Sequence, residues 1–422
     1  MMAESVYDIA VVGGGASGMM AAVEAARAGA RVVLLEAQQR AGRKLLASGN
    51  GRCNLTNRLL TAQNYHGDAG TAAHVWERWT PELVIREFRR FGLLCRELEE
   101  GRVYPYSLQA STVQKLLLRL LENTGAELHC GFLAENITRK EKGFTIASPS
   151  ERLLAQRVII AAGGKAAPQL GGGESGYELA RALGHTVTPL FPALVQLAVP
   201  RARVKALKGA RALAAASLLV DGRVRKTVRG EVLFAEAALS GICIFELSRV
   251  YGALSEQEQK NACVRLDLMP EYEIGDIKQL LKGARGSAFH GAEAAEGLLN
   301  RLIAQELANR VLPKQQGTTE QELNPRRLSQ LAVAVKQFDF PVTGTLGWEH
   351  AQVTAGGIPL AEINENTMES RCCPGVYFTG EILNIDGDCG GFNLHWAWST
   401  GIIAGRAAAL KNREDVCTES QK

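Results

Sequence analysis

With 422 residues, 46% of them apolar and 22% charged, the chain is long enough for two or three globular domains and too balanced in composition to be disordered. A net charge of +4 is too small to demand nucleic acid or an anionic membrane as partner, and no apolar run reaches the roughly 18–20 residues that span a bilayer. Nine cysteines without one C-x-x-C spacing argue against a secreted disulfide framework and, with an N-terminus lacking a basic leader, predict a cytoplasmic protein.

The first elements are the most informative. Ile9 to Val12 read as a buried parallel strand, "GGGASG" follows as G-x-G-x-x-G at Gly13, Gly15 and Gly18, and an alanine-rich helix runs to Gly29. "RVVLLE" is a second buried strand ending in Glu36. Gly13 permits the tight turn, Gly15 lets backbone N–H groups approach a pyrophosphate, and Gly18 lets helix and strand pack closely. The helix N-terminus adds a partial positive charge, and Glu36 is placed to accept from ribose hydroxyls. An acid there disfavours a 2′-phosphate, so NADP is not the first ligand expected. Strand, turn, helix, strand and acid in register make this a dinucleotide site.

"GRKLLASGNGRCNLTN", from Gly42, reads as a polar, glycine-rich loop. A helix over 80–92 has Thr80 as N-cap, Pro81 at its first position and Gly92 past its end, and a second over 111–125 has Ser111 and Gln114 as a capping box. "AELHCGFLAENI", "GFTIAS" and "RLLAQRVIIAAGG" read as strands, the last reaching a close backbone approach at Ala162 to Gly164. "GGGESG" at 171–176 repeats the glycine spacing without a buried strand before it, and reads as a flexible loop opening the helix "YELARALG".

From Pro189 the pattern changes. Residues 190–250 suggest short β-strands, with Arg201, Arg203 and Lys205 on one strand face, either a solvated face or a site for an anionic group or nucleic-acid phosphate. Residues 274–312 read as helical and "PKQQGTTEQELNP" as a polar connector. The C-terminal part returns to glycine: "GVYFTGE" is a strand ending at Gly380-Glu381, Asp386 and Gly390-Gly391 follow, and a helix rich in small residues is expected to pack closely on the sheet. Its N-terminus could stabilise negative charge on a bound cofactor.

Four stretches together, "VVGGGASGMMAA…LLE", "GRKLLASGNGRCNLTN", "VTAGGI" and "GVYFTGEILNIDGDCGGFNLHWAWSTG", resemble a family of bacterial FAD-dependent oxidoreductases that includes aminoacetone oxidase and the BaiN-type bile-acid 4,6-reductases. The resemblance implies an α/β fold: a Rossmann-like FAD-binding domain of glutathione-reductase type, made of residues 1–190 and 345–422. It is interrupted by an inserted substrate domain, 191–344, with a β-rich and a helical part. It implies non-covalent FAD touched by Gly13, Gly15, Ala16, Ser17, Gly18 and Glu36. Arg43, Lys44, Asn50, Gly51, Cys53 and Asn54 would lie along the cofactor. Leu133 and Ala134 would meet the adenine, and Ala162 and Gly163 the second close approach. Gly380, Glu381, Asp386, Gly391, Phe392, Asn393 and Leu394 would meet the pyrophosphate, ribitol and isoalloxazine. The chain departs from the family pattern at Asn384, Cys389, Phe392 and His395.

The chemistry expected is hydride transfer at a flavin, with protein groups supplying position and a proton. Tyr104 in "GRVYPYS" and His395 in "NLHWAW" are the candidate catalytic residues, and Arg102 a candidate partner for a substrate carboxylate. Cys53 lacks a cysteine about five residues away, so a dithiol mechanism is not expected, and no histidine spacing suggests a metal. The leading expectation is an NAD(P)H-driven reductase of a conjugated C=C bond in a steroid-like or other enone, with the nicotinamide a transient electron donor. The rivals are an O₂-using oxidase of a small amine or aminoketone, and a flavoprotein that binds or modifies RNA.

Overall fold

The computed structural model describes residues 6–284, 295–311 and 325–419. The chain forms two compact units, Met1–Phe191 with Val353–Lys422, and Pro192–Gln352. The fold is mixed α/β, with a Rossmann-type first unit interrupted by an inserted second one.

The first unit is built on a nine-stranded sheet. Its centre is five parallel strands in the order Glu127–Cys130, β2 (Val32–Glu36), β1 (Val6–Val12), Arg152–Ile160 and Val376–Phe378. β1 and β2 are near-continuous Val, Ile and Leu because helices cover both faces, and each such side chain contributes about 1.5–3 kcal/mol on burial. α1 (Ala16–Arg27) follows β1 directly. A Cβ at Gly18 would stand 1.9 Å from the Gly13 carbonyl oxygen, so only glycine lets the helix lie this close. The C-terminal helix, beginning at Phe392, packs on α1 rather than chiefly on the sheet. Cβ atoms at Gly401 and Gly405 would come within 2.6 and 2.4 Å of the Ser17 and Ala21 carbonyl oxygens. The small residues thus serve a helix–helix contact, a correction to the expected sheet packing.

The polar stretch after β2 is not a loop throughout. α2 (Arg43–Gly51) begins at Gly42, with φ 79°, buries Leu45, and breaks where Ser48 is extended and Gly49 and Asn50 are left-handed. Thr80 caps the helix Pro81–Arg90, accepting from Leu83 N at 3.4 Å, as expected. The capping box at Ser111 does not form. That helix starts at Ala110 after Gln109, and Gln114 donates to the Ala41 carbonyl at 2.6 Å instead. The stretch "AELHCGFLAENI" is two strands, Glu127–Cys130 and Asn136–Lys140, parted at Gly131 with φ 80°. The helix after "GGGESG" is Ser175–Ala182.

The second unit holds a seven-stranded antiparallel sheet whose longest pair is Arg211–Val220 with Arg223–Phe234. Phe234, Phe338 and Phe340 lock together in its core, with ring centroids 4.6–6.3 Å apart. Two expectations fail here. Residues Ile242–Gly252 are helical, burying Cys243, Ile244, Leu247, Ser248 and Tyr251 on one 3.6-residue stripe. Arg201–Val204 is a helical turn that runs into a second turn, Lys205–Leu207, not a strand; Arg203 N bonds back to the Pro200 carbonyl at 2.8 Å. Arg201 is paired with Glu236, as is the following Lys208, and Arg211 with Glu231, whereas Arg203 and Lys205 have no ion pair among the described residues. Helices Ile274–Ala284 and Arg301–Val311 occupy part of the expected helical stretch. Residues 285–294 and 312–324, with most of the polar connector, lie outside the described residues.

Candidate flavin site

The carboxyl ends of β1, β2 and Arg152–Ile160 open on a cleft in the first unit. Gly13, Gly15, Glu36, Arg43, Lys44, Leu133, Ala134, Ala162 and Gly163 line it, all expected residues. Ala16, Ser17 and Gly18 form the first turn of α1 behind it. Glu36 Oε2 accepts from Gly14 N at 2.8 Å and Oε1 from Gln38 N at 2.7 Å. Two backbone donors thus aim the carboxylate, and each oxygen keeps a lone pair for a further donor. α1 has no side-chain cap and no acid in its first turn, leaving its N–H groups free for an anion. A Cβ on Gly15 or Gly163 would meet no protein atom within 4 Å. These positions open onto unfilled space at the end of the glycine turn, so the cleft has room for the adenosine diphosphate part of FAD.

The cleft also uses residues that the fingerprint does not reveal. Gln38, Arg40, Phe132, Leu170 to Gly172 and Ser175 line it. Part of "GGGESG" is therefore a cleft wall, not a free loop; its signal was glycine content alone. Arg43 spans two walls, donating to Gln38 Oε1 at 2.6 Å and to the Gln169 carbonyl at 2.8 Å. Lys44 Nζ meets Glu381 at 2.7 Å, and Glu381 Oε1 also accepts from Thr354 N at 2.8 Å. That ion pair ties the "GVYFTGE" segment to the cleft, with Gly380 beside it.

Other expected residues gather around the start of the C-terminal helix. Gly391, with φ 101°, precedes Phe392, and a Cβ there would stand 2.7 Å from both Asn54 Oδ1 and the Thr56 carbonyl. Asn54 is buried, and its Oδ1 has no hydrogen-bond partner among the described residues. Asn393 closes the turn by donating to the Gly387 carbonyl at 2.7 Å and accepting from Gly387 N at 2.9 Å. The Phe392 carbonyl accepts from Tyr65 Oη at 3.0 Å, and Leu394 is half-buried beside it. Asp386 is buried on the short strand Ile385–Gly387. Trp396 Nε1 donates to the Gly380 carbonyl and Trp398 Nε1 to that of Leu55, each at 3.1 Å, fixing the helix start against both segments.

His395 does not suit the role of proton donor. It is 1% exposed, its Nδ1 bonds Thr56 Oγ1 at 2.8 Å, and burial pulls its pKa down to about 4. It is a neutral ring joining two segments. Cys53, fully buried with φ 58°, has its thiol pushed up to about 12 by burial and stays protonated. Asn50 and Gly51 are exposed at the end of α2. Tyr104, on the strand Arg102–Pro105, packs its buried ring near Gly49, with the Arg52 guanidinium 5.1 Å from the ring centroid. Its hydroxyl has no protein hydrogen-bond partner among the described residues. Arg102 is spoken for by Glu100.

One trio of metal-type side chains, His185, Glu362 and Cys372, has ligand atoms within 4.8 Å of one another. Ser370 argues for a hydrogen-bond relay instead. Its Oγ accepts from Cys372 N and Cys373 N at 3.1 and 2.7 Å, so its proton goes to His185 Nε2 at 2.7 Å. Nδ1–H then donates to Glu362 at 2.8 Å, leaving that nitrogen no lone pair for a metal.

A glycine-turn cleft at the switch point of a parallel sheet, with an acid closing the second strand, defines a dinucleotide-binding flavoprotein of Rossmann type. The model of the HI0933-like protein Rossmann domain matches residues 7–407, and the chain belongs to that family of FAD-binding proteins. It is 38% identical to the 3-dehydro-bile acid delta(4,6)-reductase of Clostridium scindens over 407 residues, 95% of this chain and 98% of that one. It is 28% identical to the ribosomal RNA dihydrouridine synthase of Escherichia coli, over 93% and 96%. Among solved structures, the 3-ketosteroid-delta4-(5alpha)-dehydrogenase of Rhodococcus jostii superposes with a TM-score of 0.53 at 15% identity, over 97% and 98% of the chains, a likeness of fold. The protein is a flavin-dependent oxidoreductase, and among the described residues no helix is long and apolar enough to cross a membrane.

Proposed function

We propose that the protein is an NAD(P)H-driven reductase of a C=C bond conjugated to a carbonyl in a steroid-like or other cyclic enone. The observation that carries this is the 38% identity, over nearly the full length of both chains, to a reductase named for that chemistry. FAD, when bound, supplies hydride transfer between a nicotinamide and the β-carbon of the enone. The chain's own part is to bind, orient and protonate. Glu36 and the α1 N-terminus would hold the adenosine diphosphate, and Lys44 and Glu381 the centre of the cofactor. The free start of the C-terminal helix, beside Asn54, would face the ring's pyrimidine end. Tyr104 would be the proton donor to the α-carbon, its hydroxyl having no hydrogen-bond partner among the described residues.

The dihydrouridine synthase relatives favour a second reading, since the uracil C5=C6 bond is also conjugated to a carbonyl. Against it, Arg201, Lys208 and Arg211 are paired with glutamates rather than free for phosphate. Incubation with NADH or NADPH and a 3-keto-Δ4 steroid acid tests the proposal. Reductant consumption matched by a product two mass units heavier is expected. Prompt peroxide release from an amine without enone turnover, or reduction confined to RNA, would overturn it.

A further inference from the structure

We infer that Arg52 and Arg96 form a binding site for an anionic oxygen group, a carboxylate or phosphate, beside Tyr104. The inference rests on the reductase reading for its place in turnover, but not for its geometry. Arg96 lies directly across from Tyr104 in the antiparallel pair Cys95–Glu97 with Arg102–Pro105, so their side chains share a face. Tyr106 N donates to the Leu94 carbonyl at 2.7 Å, which continues the pairing and brings Leu94 and Tyr106 to that face. The Arg96 guanidinium stacks 3.6 Å from the Tyr106 ring centroid, and Arg52 stacks on Tyr104.

These two guanidiniums differ from their neighbours. Arg58 is paired with Glu82 and Glu97, Arg102 with Glu100, and Arg90 with Glu87. Neither Arg52 nor Arg96 has a carboxylate partner among the described residues. Arg52 makes one long bond to the Gly49 carbonyl at 3.4 Å, and Arg96 Nε is buried with no partner. A stacked guanidinium is pre-organised and keeps its in-plane N–H groups for a planar anion. Leu94 and Tyr106, 55% and 54% exposed, add an apolar lip next to the cations. An apolar edge, two unpaired cations and an unengaged phenol on one face fit an amphipathic molecule with an acidic tail. α2 links this face to the cleft, since Lys44 lines the cleft and Gly49, five residues on, packs near Tyr104.

The anion has two candidate sources, a carboxylate on the substrate or the phosphates of the nicotinamide donor. The test uses FAD-loaded protein, wild type and R52Q/R96Q. Calorimetry with cholate and its methyl ester, neither of which the enzyme can reduce, reads binding apart from turnover. Anaerobic reduction by NADH, its rate followed against concentration, gives the donor's Kd. Cholate binding about ten- to a hundredfold tighter than the ester, with the preference lost in the variant, assigns the site to a substrate carboxylate. A similar weakening confined to NADH assigns it to the donor. An acid preference that 1 M NaCl abolishes in the wild type supports the site even where the variant fails to retain FAD. No acid preference and no effect on NADH in a variant with normal FAD content overturns the inference. Failure of the wild type to reduce any enone, with the cholate preference intact, overturns only the reductase reading.

Discussion

Glu36 Oε2 accepts a 2.8 Å hydrogen bond from Gly14 N, so the acid that ends β2 is clamped to the glycine turn that ends β1. The same carboxylate therefore shapes the turn and keeps lone pairs for a further donor, which in the proposed reading is the ribose. Glu36→Ala removes both functions, and apo-protein carrying it should bind FAD about ten- to a hundredfold more weakly in a fluorescence titration. Unchanged affinity would place the adenosine elsewhere.

The glycines of the fingerprint are separable. At Gly18 a Cβ would collide with the Gly13 carbonyl oxygen, whereas at Gly15 it would meet nothing within 4 Å. Gly18→Ala should lower the stability of the apo-protein by about 2–4 kcal/mol, seen in denaturant unfolding. Gly15→Ala should leave apo-protein stability unchanged and weaken FAD binding. Equal behaviour of the two variants would contradict this division.

His395 predicts a pH dependence of stability. Its folded pKa, about 4, lies below the ordinary value of 6.5. Between these values the unfolded chain binds the extra proton, so stability falls as pH drops from about 6.5 toward 4 and levels off below. The decline attributable to this one residue is at most about 3 kcal/mol. His395→Gln should flatten it in denaturant unfolding followed from pH 7 to 4. The same neutrality predicts no titration of His395 in a kcat profile between pH 6 and 9.

Cys53 should be inert. Its thiol is pushed up to about 12 and is fully buried, whereas Cys372 and Cys130 are exposed. Iodoacetamide applied to the native FAD-loaded protein at pH 8, followed by peptide mass spectrometry, should label the exposed pair and spare Cys53. Rapid labelling of Cys53 would reopen a thiol role.

Much of the glycine-turn cleft was legible in the sequence because each of its residues answers to a local rule. Gly13, Gly15, Gly18 and Glu36 occur at fixed offsets along one strand–helix–strand unit, and backbone geometry alone fixes their positions. The helix at Pro81 was legible for the same reason, through Thr80. Residues brought together from afar were not. Gln38 and Leu170 line one cleft from distant segments, and nothing local in either segment marks it as a wall. Ser111 matched a capping pattern, but the pairing of Gln114 with Ala41 won because a tertiary partner outcompeted a local one. The alternation in "RARVK" mimicked a strand until Pro200 set a turn. His395 looked like a catalytic histidine because type and neighbourhood can be read from sequence, whereas burial cannot.

Anaerobic stopped-flow spectroscopy of the purified yellow protein tests the central claim most directly. Rapid bleaching by NADH or NADPH, slow reoxidation by air and faster reoxidation by a 3-keto-Δ4 steroid acid are the results expected. Bleaching by an amine with prompt peroxide release on admitting air, or a protein that purifies colourless and takes up no FAD, would contradict it.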